Sequence, residues 1–216
     1  MVENYILRKN ARAQLGGGIF KNGWLYMLVA CLIVSAIEGA AGTIGFGVGA
    51  ILVVGPLTYG LARITTSVVR GKEKADLSDL SKGFTEDLGG TILLGLLQSV
   101  FTALWSLLFI IPGIVKSYAY SMAFYIQQDE SNKDWRYCLD KSQAMMKGYK
   151  AKLFWLDMSF IGWYLLGAFC FGLGILFVIP YHQTARANFY EALRATLYAE
   201  TETLPTEQQI SVFDEE

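Results

Sequence analysis

Lys116 and Asp157 stand inside long apolar runs of this chain. An ion at the centre of a membrane helix costs about 2.5–3.5 kcal/mol on insertion scales, so such residues need a reason to be there. Glu38, Arg63 and Arg186 lie nearer the ends of similar runs, and Gln98 is a neutral polar companion. The acids fall on shorter runs and the cations on longer ones, so Asp157 can pair with Lys116 or with Arg186. Two kinds of chemistry follow. Pairs of this sort can hold helices together, with Arg63 and Arg186 extending to an inner membrane surface. Alternatively the same groups can line a polar cavity, open to the inner leaflet, that takes an anionic headgroup or solute. His182, the one histidine, precedes Arg186 by four residues and shares its helix face. A lone histidine with these carboxylates makes no metal site, and the expected role is a hydrogen-bonded helix residue rather than a proton relay.

Other chemistry is excluded by pattern. Cys31, Cys138 and Cys170 are far apart and form no CxxC pair, so they read as structural thiols rather than zinc ligands. The glycines of GTIGFGVG follow no strand and open no phosphate-binding helix, which removes a dinucleotide site. Gly45 and Gly49 fit a small-xxx-small packing face instead. No Walker lysine, HExxH, GxSxG or kinase-type set occurs. Neither an enzyme, a cofactor nor a nucleic-acid partner is expected.

The elements that must position these residues are apolar helices. The chain is 53% hydrophobic, only 17% charged and has a mean hydropathy of +0.36, which assigns it to the polytopic membrane class. The lead Val2 to Leu15 is basic, with Ile6, Leu7, Ala11 and Leu15 at helical spacing, and predicts an amphipathic helix on the membrane surface. It does not read as a signal peptide. Spans are predicted over about 24–37, 46–69, from 88, 101–127, 153–169 and 172–190. Glu38 and the glycines after it read as the first return turn, and Ser99 to Thr102 as the second. Ser131 and Asp134 offer a capping box for a helix through Met146, whose Trp135, Leu139, Met145 and Met146 could rest on the bilayer surface. Trp24, Tyr125, Trp155, Trp163, Tyr164 and Tyr190 suit an interfacial belt.

Nearly all of the 18 Lys and Arg residues fall in the lead, the 70–82 and 133–152 connectors and the C-terminal end. The intervening turns hold none, so the positive-inside rule predicts six spans with both termini cytoplasmic. From Glu200 the chain has six acids and no cation, and reads as a flexible acidic tail over 200–216.

A weak threefold repeat divides residues 1–199 into units of about 1–70, 71–128 and 129–199. Each opens with a polar lead ending in a small-aromatic step (Gly18-Ile19-Phe20, Gly83-Phe84, Gly148-Tyr149). Each closes with a longer span broken by proline, at Pro56, Pro112 and Pro180. The expected fold is therefore all-α: six transmembrane helices as three Pro-kinked hairpins, with amphipathic helices on the cytoplasmic surface. Within this pattern Pro112 is a mid-helix kink; the rival reading makes Pro112-Gly113 the outer turn. Proline frees the carbonyl one turn earlier, and Thr58, Tyr59, Lys116, Ser117, His182 and Thr184 are nearby groups able to answer it.

Five segments occur in order: GPLTYGLAR (55–63), LWSLLFIIPGIVKSYAYSMAFY (104–125), SQAMMKGYKAKLF (142–154), SFIGW (159–163) and PYHQTARANFY (180–190). Together they resemble an uncharacterised bacterial membrane-protein family, the domain of unknown function nine-seven-five. The resemblance implies a multi-pass plasma-membrane protein and carries over no catalytic residues. A more distant likeness to membrane domains attached to some glycerophosphodiester phosphodiesterases hints at lipids, by analogy alone.

The expected function is a non-enzymatic membrane module of the bacterial cell envelope that binds a protein partner or anionic phospholipid. The alternative is a small transporter or lipid-translocating protein using a polar cavity near Lys116, Asp157 and Arg186. A dry, fully paired core favours the first and a water-accessible cavity the second.

Overall fold

The computed structural model describes residues 3–15, 22–44, 48–71, 77–108, 110–130, 134–169 and 173–202. Among these residues there are ten α-helices and no strand: α1 (Asn4–Gln14), α2 (Asn22–Ile44), α3 (Val48–Val69), α4 (Asp79–Thr85), α5 (Leu88–Leu108), α6 (Ile110–Tyr120), α7 (Ala123–Asp129), α8 (Trp135–Met145), α9 (Lys150–Phe169) and α10 (Leu173–Glu202). A short helix followed by two longer ones occurs three times, as α1–α2–α3, α4–α5–α6 and α8–α9–α10. In each trio the second and third helices pack on each other, and α3 also packs on α4, α5, α7 and α10. The opening Gly18-Ile19-Phe20 step of the repeat, Ser131 and the tail beyond residue 202 lie outside the described residues, as does Cys170.

Glycine sets the closest packing. A methyl group on Gly55 would come within 2.2 Å of the Thr91 carbonyl oxygen, and one on Gly83 within 2.2 Å of the Pro56 carbonyl oxygen. Backbone therefore rests on backbone where α3, α4 and α5 meet, and the Thr91 hydroxyl donates to the Gly83 carbonyl at 3.0 Å. This wedges α4 against the middle of α3.

The short helices bury apolar faces against the protein itself. Leu7, Ala11 and Leu15 of the first trio are buried, and α1 packs on α10; Tyr5 and Ile6 are left exposed. Cys138, Leu139, Met145 and Met146 of the α8 region are buried in the core with α7, and Trp135 packs against it. Amphipathic periodicity defines the apolar face of a helix but not what covers it; here the protein's own long helices do so.

Helix boundaries differ from expectation at two turns. α2 continues through Ile44, so Glu38 is a helix residue rather than part of a return turn. α5 runs unbroken through Ser99–Thr102 to Leu108, and Pro112 occupies the first turn of α6. Pro112 is thus no mid-helix kink. α5 ends at Leu108 and α6 begins at Ile110, and Gly113 allows α6 to sit against Ser106 of α5, where a methyl would clash with Oγ. The first turn of a helix tolerates proline because its N–H has no intrahelical acceptor to lose. Pro56 and Pro180 do lie inside helices, in α3 and α10. Their neighbouring threonines bond elsewhere than to the freed carbonyl: Thr58 donates to Val54 O at 2.6 Å and Thr184 to Pro180 O at 2.8 Å, each four residues back.

Among the described residues one helix segment, Leu88–Leu107, is long and apolar enough to cross a membrane. Trp24–Ala40 in α2 is apolar but shorter.

Candidate functional site

Asp157 is the hub of a polar network between α6, α9 and α10. Four- and seven-residue steps bring the participants to facing helix surfaces: His182 and Arg186 on α10, Asp157 and Tyr164 on α9. Arg186 donates to both carboxylate oxygens, Nε to Oδ1 at 3.1 Å and Nη2 to Oδ2 at 2.5 Å. This bidentate geometry is the strong form of the pair. His182 Nε2 lies 2.8 Å from Oδ1, and the Tyr118 hydroxyl of α6 donates to Oδ2 at 3.0 Å. An ionised carboxylate only accepts, so Nε2 carries the hydrogen. Nδ1 is then free to accept from the Tyr164 hydroxyl 3.0 Å away. Phe160, fully buried, packs its ring 4.6 Å from the imidazole. Every polar member of this network has a partner.

Of the two cations available to Asp157, the structure selects Arg186. Lys116 instead bonds Gln143 Oε1 of α8 at 2.9 Å, with its ammonium 5.4 Å from the Trp105 ring centroid and 5.7 Å from that of Tyr120. No carboxylate lies within ion-pair distance of Lys116 among the described residues. Its surroundings form a groove of about 500 Å³ between α5, α6 and α8, lined by Phe101, Trp105, Tyr120, Trp135, Arg136 and Gln143, with Asp140 as its one acid. The α5–α6 pair also carries exposed apolar side chains, including Leu107, Ile111, Ile114 and Val115.

The remaining sequence candidates separate from both places. Arg63 pairs with Glu86 at 2.8 Å, lies 4.0 Å from Asp79 and contacts the Tyr59 hydroxyl at 3.4 Å. Gln98 sits on α5 with its Oε1 buried and without a hydrogen-bond partner among the described residues.

A second carboxylate hub had no sequence signal. Asp129, at the end of α7, accepts from Arg70 Nη1 at 3.0 Å and Nη2 at 2.5 Å, from Arg194 at 3.0 Å and from the Tyr190 hydroxyl at 3.0 Å. Arg70 also bonds Glu191 at 2.8 Å. Burial pulls the Arg70 guanidinium down, but the bonds and charge of Asp129, with Glu191 beside it, carry it above its ordinary value. These partners lie 59–65 residues apart in the chain, beyond any helical period.

A cavity of about 270 Å³ lies between α2, α3, α7 and α10, and Arg186 and Gln183 reach its wall. Among the described residues no group of three or more His, Cys, Asp or Glu side chains could hold a metal ion.

Residues 107–196 match the family described as Protein of unknown function (DUF975). The match runs from the end of α5 through most of α10, and so contains the Asp157 hub, Lys116, and Asp129 with Tyr190, Glu191 and Arg194, but not Arg70, Arg63 or Gln98. It is the family that the ordered motifs resemble. No curated protein and no solved structure matches the chain.

Proposed function

We propose that this chain is a multi-pass, non-enzymatic protein of the bacterial plasma membrane that binds anionic phospholipid in the groove at Lys116. The observation that carries this reading is an ammonium on an apolar helix with no acid to neutralise it. Lys116 bonds the wall residue Gln143 and stands over the Trp105 and Tyr120 rings, so it adds a positive charge beside a groove whose own Arg136 and Asp140 balance. Aromatic rings and cations at the edge of an apolar surface are the composition that receives a lipid headgroup, at about 1 kcal/mol per well-placed cation. Leu107, Ile111, Ile114 and Val115 would receive its acyl chains.

Membrane residence is supported by where apolar surface is left uncovered. Only 17% of the Leu88–Leu107 window is buried, unlike the core helix of a water-soluble protein. Large apolar side chains are also exposed along α2 and α9, among them Leu32, Ile33, Ile161, Leu165, Leu166 and Phe169. With the Lys and Arg distribution, this supports three helical hairpins (α2–α3, α5–α6, α9–α10) and cytoplasmic termini. The repeated order of a short helix and two longer than it supports a threefold origin, although α6, at 11 residues, is shorter than its counterparts α3 and α10.

The test is native mass spectrometry of the full chain released gently from its own membrane. Wild type is expected to retain phosphatidylglycerol or cardiolipin, and Lys116→Gln with Arg136→Gln to lose it. Equal retention by the double variant would refute the groove; a co-released protein without lipid would favour an assembly partner.

A further inference from the structure

The cavity beside Arg186 has a different electrostatic character from the Lys116 groove. Its polar wall is made by Ser35 and Glu38 of α2, Thr58 of α3, Ser121 in the turn before α7, and Gln183 and Arg186 of α10. Arg186 contributes no net charge, because Asp157 binds it through both carboxylate oxygens. Glu38 has no ion-pair or hydrogen-bond partner among the described residues, although it sits within an apolar helix. A carboxylate left in such a place without a cation is the costly arrangement, and a functional pointer.

We infer that this cavity is a binding site for a small solute bearing a primary ammonium group, with Glu38 as its counter-ion. The ammonium donates three hydrogen bonds. The carboxylate of Glu38 accepts one, and the hydroxyls of Ser35, Thr58 and Ser121 and the amide oxygen of Gln183 are the further acceptors on the wall. Arg186 also reaches this wall, and its Nη1, which Asp157 does not engage, suits an oxygen on the solute's other end. At about 270 Å³ the cavity falls below the roughly 300–1,000 Å³ of drug-sized pockets, which restricts the solute to a few heavy atoms.

Calorimetric titration of the full chain in lipid nanodiscs tests this with three probes: ethylammonium chloride, tetramethylammonium chloride and sodium acetate. Ethylammonium is expected to bind. Tetramethylammonium, which has no N–H to donate, should bind about tenfold more weakly, and acetate not at all. Glu38→Gln removes a charge without changing shape, so it should fold and weaken ethylammonium about tenfold, whereas Glu38→Asp retains binding. Lys116→Gln should leave the titration unchanged, which separates this site from the lipid groove. Absence of ethylammonium binding, equal binding in Glu38→Gln, or acetate binding as well as ethylammonium would each overturn the inference.

Discussion

Arg186 and Lys116 are both cations on helices dominated by apolar residues, yet they have opposite surroundings. Arg186 is held by a carboxylate that also takes a histidine and a tyrosine, so its charge is spent within the fold. Lys116 meets an amide oxygen and two aromatic faces and keeps its charge available. The contrast teaches that a cation within an apolar helix is not one category. Where the pairing is internal the charge is used by the fold, and where it is not the charge is left for the ligand proposed above.

The largest way to break this comparison is Asp157→Ala. Removing one partner of a buried pair leaves the other uncompensated, and here His182 and Tyr118 lose their acceptor as well. A loss of about 3 kcal/mol is expected, at the low end for such pairs because the Arg186 side chain is 34% accessible. Denaturant unfolding in detergent measures it, and a loss under about 1 kcal/mol would mean that Asp157 does not hold the helices. Asp129→Ala should cost less, about 1–2 kcal/mol. Arg70 keeps Glu191 as a partner at 2.8 Å when Asp129 is removed, whereas Arg186 pairs with no second acid among the described residues. Its full retention of stability would demote this hub to a surface contact. Smallest of all, Lys116→Gln should change stability by about 0.5 kcal/mol or less while weakening lipid retention. A large destabilisation would show that Lys116 is paired after all.

Within the sequence, local relationships were legible. The i,i+4 step put His182 and Arg186 on one face, and their common partner Asp157 was named as one of two options. The apolar runs located α3, α9 and the start of α10 closely, while α10 continues to Glu202, past the predicted span end near Tyr190. Less legible were the reversals. Glycines after Glu38 suggested a turn, but α2 runs on through Ile44. Pro112 suggested a kink, but α5 ends first and proline is accommodated in the opening turn of α6. The coverings of α1 and α8 were misread because an apolar stripe serves a bilayer and a neighbouring helix equally well.

By itself, then, the sequence determined an all-helical chain, the faces on which its polar groups stand, and the family resemblance of the segment matched at residues 107–196. Those properties follow from periodicity and composition over a few turns. Only the tertiary structure decided which charge meets which: Asp157 with Arg186 across 29 residues, Asp129 with Arg70 across 59, and Lys116 with no acid among the described residues. Coulombic pairing depends on separation in space, and helix packing sets that separation without leaving a fixed spacing in the chain.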